Sequence, residues 1–236
     1  MSKRQLLLVS TSKIHGQGYM AYLHDELREF FRDINTVTFV PFARPGGISH
    51  DEYTQIASDG FAPAGINIKG VHEGNYLENI KNAEAIFVGG GNTFVLTKTM
   101  HEEGLLNPIR ERVKNGMPYM GSSAGTNLAG LTVGTTNDMP IVWPPSLEAL
   151  QLIDFNINPH YLDPDPGSKH MGETRETRIN EFHHFNNQLV LGLREGSWLN
   201  IQGEDITLKG THHARLFRKG RKPEELAPGE ITGLIY

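Results

Sequence analysis

Between residues 6 and 120, short, mostly apolar runs alternate with longer amphipathic stretches, and that rhythm restricts the fold more than any other feature of the chain. The runs fall at 6–10, 37–42, 66–71, 85–88 and 117–120. Between them, 19–31, 51–62, 76–83, 94–103 and 107–115 read as helices; in the first, Tyr22, Leu23, Leu27, Phe30 and Phe31 lie on or near one face. A strand that is apolar on both faces must be covered on both, and parallel neighbours need a crossover between them. The pattern therefore predicts an α/β fold, a mostly parallel sheet flanked by helices.

The second half is patterned differently. Residues 152–157 and 189–193 read as further strands flanking a charged helix over 173–185. Beyond them 197–202, 205–208 and 214–217 alternate polar and apolar residues, with Gly203, Gly210 and Gly220 as punctuation. Alternation of that kind predicts antiparallel strands at the C-terminal end, closing one side of the sheet. No repeat, low-complexity tract or linker divides the chain, so one domain is expected over 1–236.

Composition excludes several function classes. A formal charge of -5 gives no basic face for nucleic acid. No apolar run approaches the roughly 18 residues that span a bilayer, and the first four residues lead into too short an apolar segment for a signal peptide. No membrane partner and a cytoplasmic location are expected; the sequence is silent on oligomeric state. The absence of cysteine rules out disulfides, thiolate metal sites and a cysteine nucleophile.

Chemistry concentrates where strand signals give way to helix signals. Gly121-Ser122-Ser123-Ala124-Gly125 follows the apolar run 117–120 and opens a helix. A nucleophile elbow needs this order, because the serine must sit on a tight strained turn with its Oγ exposed. Ser123 is the candidate nucleophile. Among 26 glycines a chance Gly-x-Ser-x-Gly is not rare, so its placement carries the weight. Gly89-Gly90-Gly91 also follows a strand and opens a helix. Without a Gly-Lys-Ser or Gly-Lys-Thr completion, or Gly-x-Gly-x-x-Gly spacing, nucleotide binding is disfavoured. An oxyanion hole formed by the Gly91 and Ala124 N–H groups fits better, since acyl transfer needs preorganised donors where negative charge develops.

A serine hydroxyl needs a base, and the base an orienting acid. Of eleven histidines, His15, His24, His50, His72 and His101 keep polar company typical of surfaces. The pairs His183-His184 and His212-His213 lack His-Glu-x-x-His spacing, and no metal site is expected. His160 follows a strand in Asn158-Pro159-His160-Tyr161, at what reads as the same sheet edge as the elbow, and is the candidate base. For the acid, Glu195 follows the strand 189–193 beside Gly196. Asp138, in Thr136-Asn137-Asp138-Met139-Pro140, is its rival, with an Asx-type turn as the plainer reading. The short interval between Ser123 and Asp138 favours Glu195.

Val-Gly-Gly-Gly-Asn-Thr at 88–93, the elbow at 121–125, Thr-Thr-Asn-Asp-Met-Pro-Ile-Val at 135–142, Asn-Pro-His at 158–160 and Gly-Glu-Thr-Arg-Glu at 172–176 together resemble the peptidase E family of alpha-aspartyl dipeptidases, serine peptidase family S51. The resemblance runs along nearly the whole chain. It implies a fold similar to class I glutamine amidotransferases, with serine in place of cysteine, and a hydrolase that needs no metal or other cofactor. The implied substrates are short aspartyl peptides, dipeptides with an unblocked N-terminal L-aspartate. It also implies Ser123 as nucleophile and His160 as base, and matches both Glu195 and Asp138 to positions proposed for the acid.

An aspartyl side chain in a closed site calls for a guanidinium, because a carboxylate buried without a partner costs several kcal/mol. Arg175, in the first turn of the helix beyond the His160 loop, is the candidate, with Arg178 in reserve and Asn92 as a second substrate-binding residue. Two other readings stand beside this one. The first is a serine hydrolase of other specificity on the same frame, similar to cyanophycinase; the second is a non-catalytic module binding a small anion at 89–92.

Overall fold

The computed structural model describes residues 4–164, 167, 169 and 171–235. Strands β1 (Gln5–Val9), β2 (Thr36–Val40), β3 (Asn67–Gly70), β4 (Ala85–Val88) and β5 (Tyr119–Ser122) alternate with helices α1 (His24–Phe30), α2 (His50–Phe61), α3 (Tyr76–Asn82), α4 (Thr93–Glu102) and α5 (Leu106–Lys114). There follow α6 (Ala124–Leu128), β6 (Asn156–Pro159), α7 (Arg175–Phe185), β7 (Val190–Leu193), β8 (Ser197–Gln202), β9 (Asp205–Gly210), β10 (Ala214–Phe217), β11 (Glu224–Leu226), β12 (Gly229–Glu230) and α8 (Thr232–Ile235). Among the described residues these strands build two sheets.

The larger sheet runs β12-β9-β8-β1-β5-β4-β2-β3. Its β1, β5, β4, β2 and β3 are mutually parallel, as the alternation predicts, and β8, β9 and β12 add antiparallel strands beyond β1. Successive side chains of a strand point to opposite faces, and the core divides accordingly. Leu6, Leu8, Ile86 and Val88 face one side with Ile80, Leu96, Met100, Ile109 and Val113 from α3, α4 and α5. Leu7, Val9, Phe39 and Phe87 face the other with Leu27, Phe30, Tyr53 and Phe61 from α1 and α2. The helices thus cover both faces.

The C-terminal strands do not all close one sheet. Strands β11-β10-β7-β6 form a separate four-stranded sheet, with β6 and β7 parallel and the rest antiparallel. Ile157, Leu191, Leu193 and Leu216 turn into the main core, whereas Val190 and Phe217 pack with Ile179 of α7 on the other face. His160 therefore leaves this second sheet and not the edge that carries the elbow. The expected strand at 152–157 starts only at Asn156, because the preceding backbone is engaged elsewhere: Leu150, Gln151 and Leu152 donate to Leu128, Gly130 and Ala129 at the end of α6. Helix 19–31 is also shorter than expected; Met20 takes a φ of 56° and a 3-10 turn over Ala21–Leu23 precedes α1.

The elbow is seated by two glycines. A Cβ on Gly125 would lie 2.1 Å from the Val88 carbonyl oxygen, and one on Gly121 would lie 2.4 Å from the Gly125 oxygen. Backbone meets backbone there, so no rotamer change relieves the clash. Gly125→Ala is expected to lower the unfolding free energy by about 1–3 kcal/mol, read from denaturant midpoints; an unchanged midpoint would show that the elbow and β4 separate easily.

Candidate active site

Strand β5 ends at Ser122, and Ser123 turns the chain into α6 with φ 54° and ψ -109°. Such a backbone is costly for a residue with a Cβ and persists only where its surroundings over-determine it. They do so here. The Ser123 N–H donates to the Val9 carbonyl at 3.1 Å, the Thr126 hydroxyl contacts the Val9 and Gly121 carbonyls at 2.7 and 2.8 Å, and the buried Tyr119 hydroxyl donates to the Gly125 carbonyl at 2.7 Å. The serine Oγ is left pointing at an imidazole.

That imidazole belongs to His160, just past the end of β6. Its Nε2 lies 2.8 Å from Ser123 Oγ, and its Nδ1 lies 2.6 Å from Glu195 Oε1. The alignment lets the hydroxyl donate to Nε2 while Nδ1–H donates to the carboxylate. Asp138 is engaged elsewhere: its Oδ2 accepts from the Thr93 N–H at the start of α4, at 2.7 Å, and contacts the Thr136 hydroxyl at 3.1 Å. The structure thus joins Ser123, His160 and Glu195 and seats Asp138 on a helix N-terminus.

The glycine run passes against the serine, a Cβ on Gly90 falling 3.0 Å from the Ser123 Cβ. Gly91 has a φ of 144°, and a side chain there would strike the Ala43 carbonyl at 2.3 Å. Among the described residues neither the Gly91 nor the Ala124 N–H donates a hydrogen bond. Asn92 has work of its own: its Oδ1 caps α4 by accepting from the Phe94 and Val95 N–H groups at 3.1 Å, and its Nδ2 donates to the Met139 carbonyl at 3.0 Å.

His160 and Glu195 line a cleft of about 410 Å³ with Tyr161, Leu162, Asp163, Arg175, Arg194 and His212. Arg175 opens α7, whose N-cap is Thr174. Partial burial, reinforced by the neighbouring Arg178, pulls the Arg175 pKa below its ordinary value, with Asp138 opposing. Among the described residues it makes no hydrogen bond or ion pair, while Arg178 lies 3.8 Å from Glu173. A larger groove of about 770 Å³ touches Gln5, Glu84 and Pro118 at the amino ends of the parallel strands. Ligands of such sheets gather at the carboxyl ends, which is where Ser123 sits. Four of the other histidines are tied elsewhere: His24, His101 and His183 contact backbone carbonyls and His72 pairs with Asp51.

A charge network not evident in the sequence borders this cleft. Arg194, next to Glu195, grips Asp163 at 2.8 and 2.9 Å and Glu225 at 2.9 and 3.0 Å. Arg215 continues it, to Glu225 at 2.8 Å and to Glu176 at 2.7 Å. Asp163 lies three residues past His160 and Glu176 one past Arg175, so the network ties together the segments that carry His160, Glu195 and Arg175. Its only signal in the sequence is the adjacency of Arg194 to Glu195. Asn137 was also missed; it donates to the Pro159 carbonyl at 2.7 Å, directly before His160.

Fold and site together put the chain in the class of hydrolases that act through a serine. Comparison with known proteins narrows the class. Residues 6–209 match the model of Peptidase family S51, and the chain belongs to that family. It is 50% identical to a protein named probable alpha-aspartyl dipeptidase from Drosophila melanogaster, over 99% of this chain and 98% of that one. It is 51% identical to a protein named peptidase E from Streptomyces coelicolor, over 95% and 91%. The resemblance drawn from the motifs is thereby borne out. Two solved structures share the fold: a putative peptidase E from Listeria monocytogenes, with TM-score 0.64 and 21% identity over 88% of this chain and 98% of that one, and a peptidase from an acI-B1 actinobacterium, with TM-score 0.72 and 16% identity over 97% and 96%.

Hydrogen bonds from Arg194 hold the Asp163 and Glu225 carboxyls below the usual carboxylate range, Arg215 adding to the effect on Glu225. Groups whose pKa is lowered by folding contribute stability above their unfolded values, near 4, and lose it as pH falls through the folded ones. The unfolding free energy should therefore fall more steeply below about pH 5 in the wild type than in Arg194→Met. Parallel acid titrations of stability by denaturant melts would show the network to be inert if the two slopes coincide.

Proposed function

We propose that this protein hydrolyses dipeptides bearing an unblocked N-terminal L-aspartate, by acyl transfer through Ser123. What carries the reading is the alignment of Ser123, His160 and Glu195, at 2.8 and 2.6 Å, with His160 and Glu195 lining a cleft that also holds Arg175, whose side chain makes no hydrogen bond or ion pair among the described residues. The names of the relatives, alpha-aspartyl dipeptidase and peptidase E, support it over nearly the full length.

In this mechanism the Arg175 guanidinium receives the aspartyl side-chain carboxylate, for which a bidentate guanidinium is the natural partner. Ser123 Oγ attacks the aspartyl carbonyl while His160 Nε2 takes the hydroxyl proton. Glu195 holds the Nδ1–H and stabilises the imidazolium. The oxyanion rests on the Gly91 and Ala124 N–H groups at the mouth of α6. His160 then delivers its proton to the leaving amine, and the acyl-enzyme forms as the C–N bond breaks. A water, deprotonated by His160, attacks the ester and releases aspartate. No metal or other cofactor takes part in this scheme. Asn92 acts by capping α4 beside the oxyanion site, and the proposed setting is the cytoplasm.

Asp-Leu, Glu-Leu and N-acetyl-Asp-Leu presented to the wild type and Ser123→Ala test the reading. Cleavage of Asp-Leu alone, lost in the variant, is expected; cleavage of all three at similar rates would assign another specificity, and none at all would remove the dipeptidase. Arg175→Ala should abolish Asp-Leu cleavage yet leave Ser123 reactive to a fluorophosphonate probe, and unchanged kinetics would sink its role. Glu195→Gln should cost about 10²–10⁴-fold in kcat, more than Asp138→Asn; the reverse order would make Asp138 the acid.

A further inference from the structure

Between the two sheets, directly beneath the site, lies a fully buried hydroxyl that the proposed mechanism does not use. Ser10 follows the last residue of β1 and is wholly shielded from solvent. Its Oγ accepts the His160 backbone N–H at 2.9 Å and donates to the Leu193 carbonyl at 2.7 Å, and its own N–H donates to the Ser197 carbonyl at 3.1 Å. Leu193 and Ser197 stand on either side of Glu195, at the end of β7 and the start of β8. The preceding residue, Val9, accepts the Ser123 N–H at 3.1 Å. The last residue of β1 and the one after it therefore touch the chain at the nucleophile, at the base and on both flanks of the acid.

We propose that Ser10 is a positioning residue, a crossbar between the two sheets that sets the separation and facing of Ser123, His160 and Glu195. The inference rests on the serine-hydrolase reading of those three. Its physical basis is that no backbone ladder joins the sheets among the described residues: β1 and β5 belong to the main sheet, β6 and β7 to the second. Packing of apolar faces is not directional and lets such layers slide by fractions of an ångström. Transfer of a proton from Oγ to Nε2 does not tolerate that slide. His160 moreover holds a φ of 53°. A residue with a side chain keeps such a backbone only under several constraints; here they are the bond to Ser10, that from Asn137 to the Pro159 carbonyl, and that from the Tyr161 N–H to the Leu193 carbonyl at 3.1 Å. Of this set, the Ser10 bond is the one that reaches across to β1, whose Val9 carbonyl accepts the Ser123 N–H. An alanine would keep the volume of the site nearly unchanged and remove both bonds of the hydroxyl.

The test compares the wild type with Ser10→Ala and with Ser10→Cys, which keeps the shape but weakens donor and acceptor. The rate constant for labelling Ser123 by a fluorophosphonate, kcat and KM for Asp-Leu, and the melting temperature are measured on each. Slower labelling and lower kcat by about 10- to 100-fold in Ser10→Ala, with KM within about twofold and Ser10→Cys between the two, is the expected result. Should Ser10→Ala not fold, slower labelling of Ser10→Cys supports the proposal and wild-type labelling of it overturns the proposal. Labelling and kcat at wild-type values in folded Ser10→Ala, even with a lowered melting temperature, would make Ser10 merely structural and overturn it too. A wild type that the probe leaves unlabelled would refute the serine reading itself, whereas in one that is labelled but spares Asp-Leu the labelling rates alone decide the role of Ser10.

Discussion

The 2.8 Å contact between Ser123 Oγ and His160 Nε2 joins two residues whose backbones both lie in the left-handed region, at φ 54° and 53°. Each conformation costs on the order of 1–3 kcal/mol, and neither is relieved by glycine. The surrounding fold must therefore supply constraints in excess. At Ser123 these come from β1, β4 and β5 packed backbone to backbone through Gly121 and Gly125. At His160 they come from the second sheet and from side chains behind it: Ser10, Asn137 and, through the Asn137 side chain, Asn158. The strained turns bring Ser123 Oγ and His160 Nε2 face to face, and the rest of the molecule holds them in place.

The second sheet is the less expected half of this arrangement. It contributes one face to the main core and offers the other to α7, so its edge loops are fixed relative to the elbow although no backbone ladder joins the two sheets. The exposed rim of the site is then held by charge. Arg194 and Arg215, with Asp163, Glu176 and Glu225, form a chain of bidentate and single contacts around the segments of His160, Glu195 and Arg175. Isolated surface pairs contribute little. A connected set sharing two guanidiniums has geometric consequence even where its energy is small, because each planar fork fixes the direction of two carboxylates.

Much of the architecture was legible in the residues. The runs at 37–42 and 85–88 became β2 and β4, and the latter matched its strand to the residue, because a wholly apolar run bounded by polar turns admits few alternatives in a parallel sheet. Strands β8 and β10 were equally clear from their alternation. Their partners were not: alternation reports that one face is buried, not which strand lies alongside, so β8 and β10 read alike yet ended in different sheets. The segment 152–155 is apolar enough for a strand, but the chain leading into it is held at the end of α6, where the carbonyls of 128–130 accept the Leu150, Gln151 and Leu152 N–H groups. At the site, Ser123, His160 and Glu195 were named from local context, whereas Ser10 passed as the end of an apolar strand, since nothing nearby in sequence betrays a partner 150 residues away.

The sequence by itself determined the parallel α/β frame, the elbow at Ser123 and the family to which the chain belongs, because hydrophobic period, glycine placement and short motifs are properties of neighbouring residues. Only the tertiary structure decided that Glu195 rather than Asp138 faces His160 Nδ1, that Arg175 makes no ion pair among the described residues while Asn92 caps a helix, and that His160 follows a strand of a second sheet. Those outcomes depend on which distant backbone groups meet in three dimensions. Hydrogen bonds act over about 3 Å, and the pairings that join Ser10, His160, Leu193 and Glu195 span from 35 to 183 residues of chain.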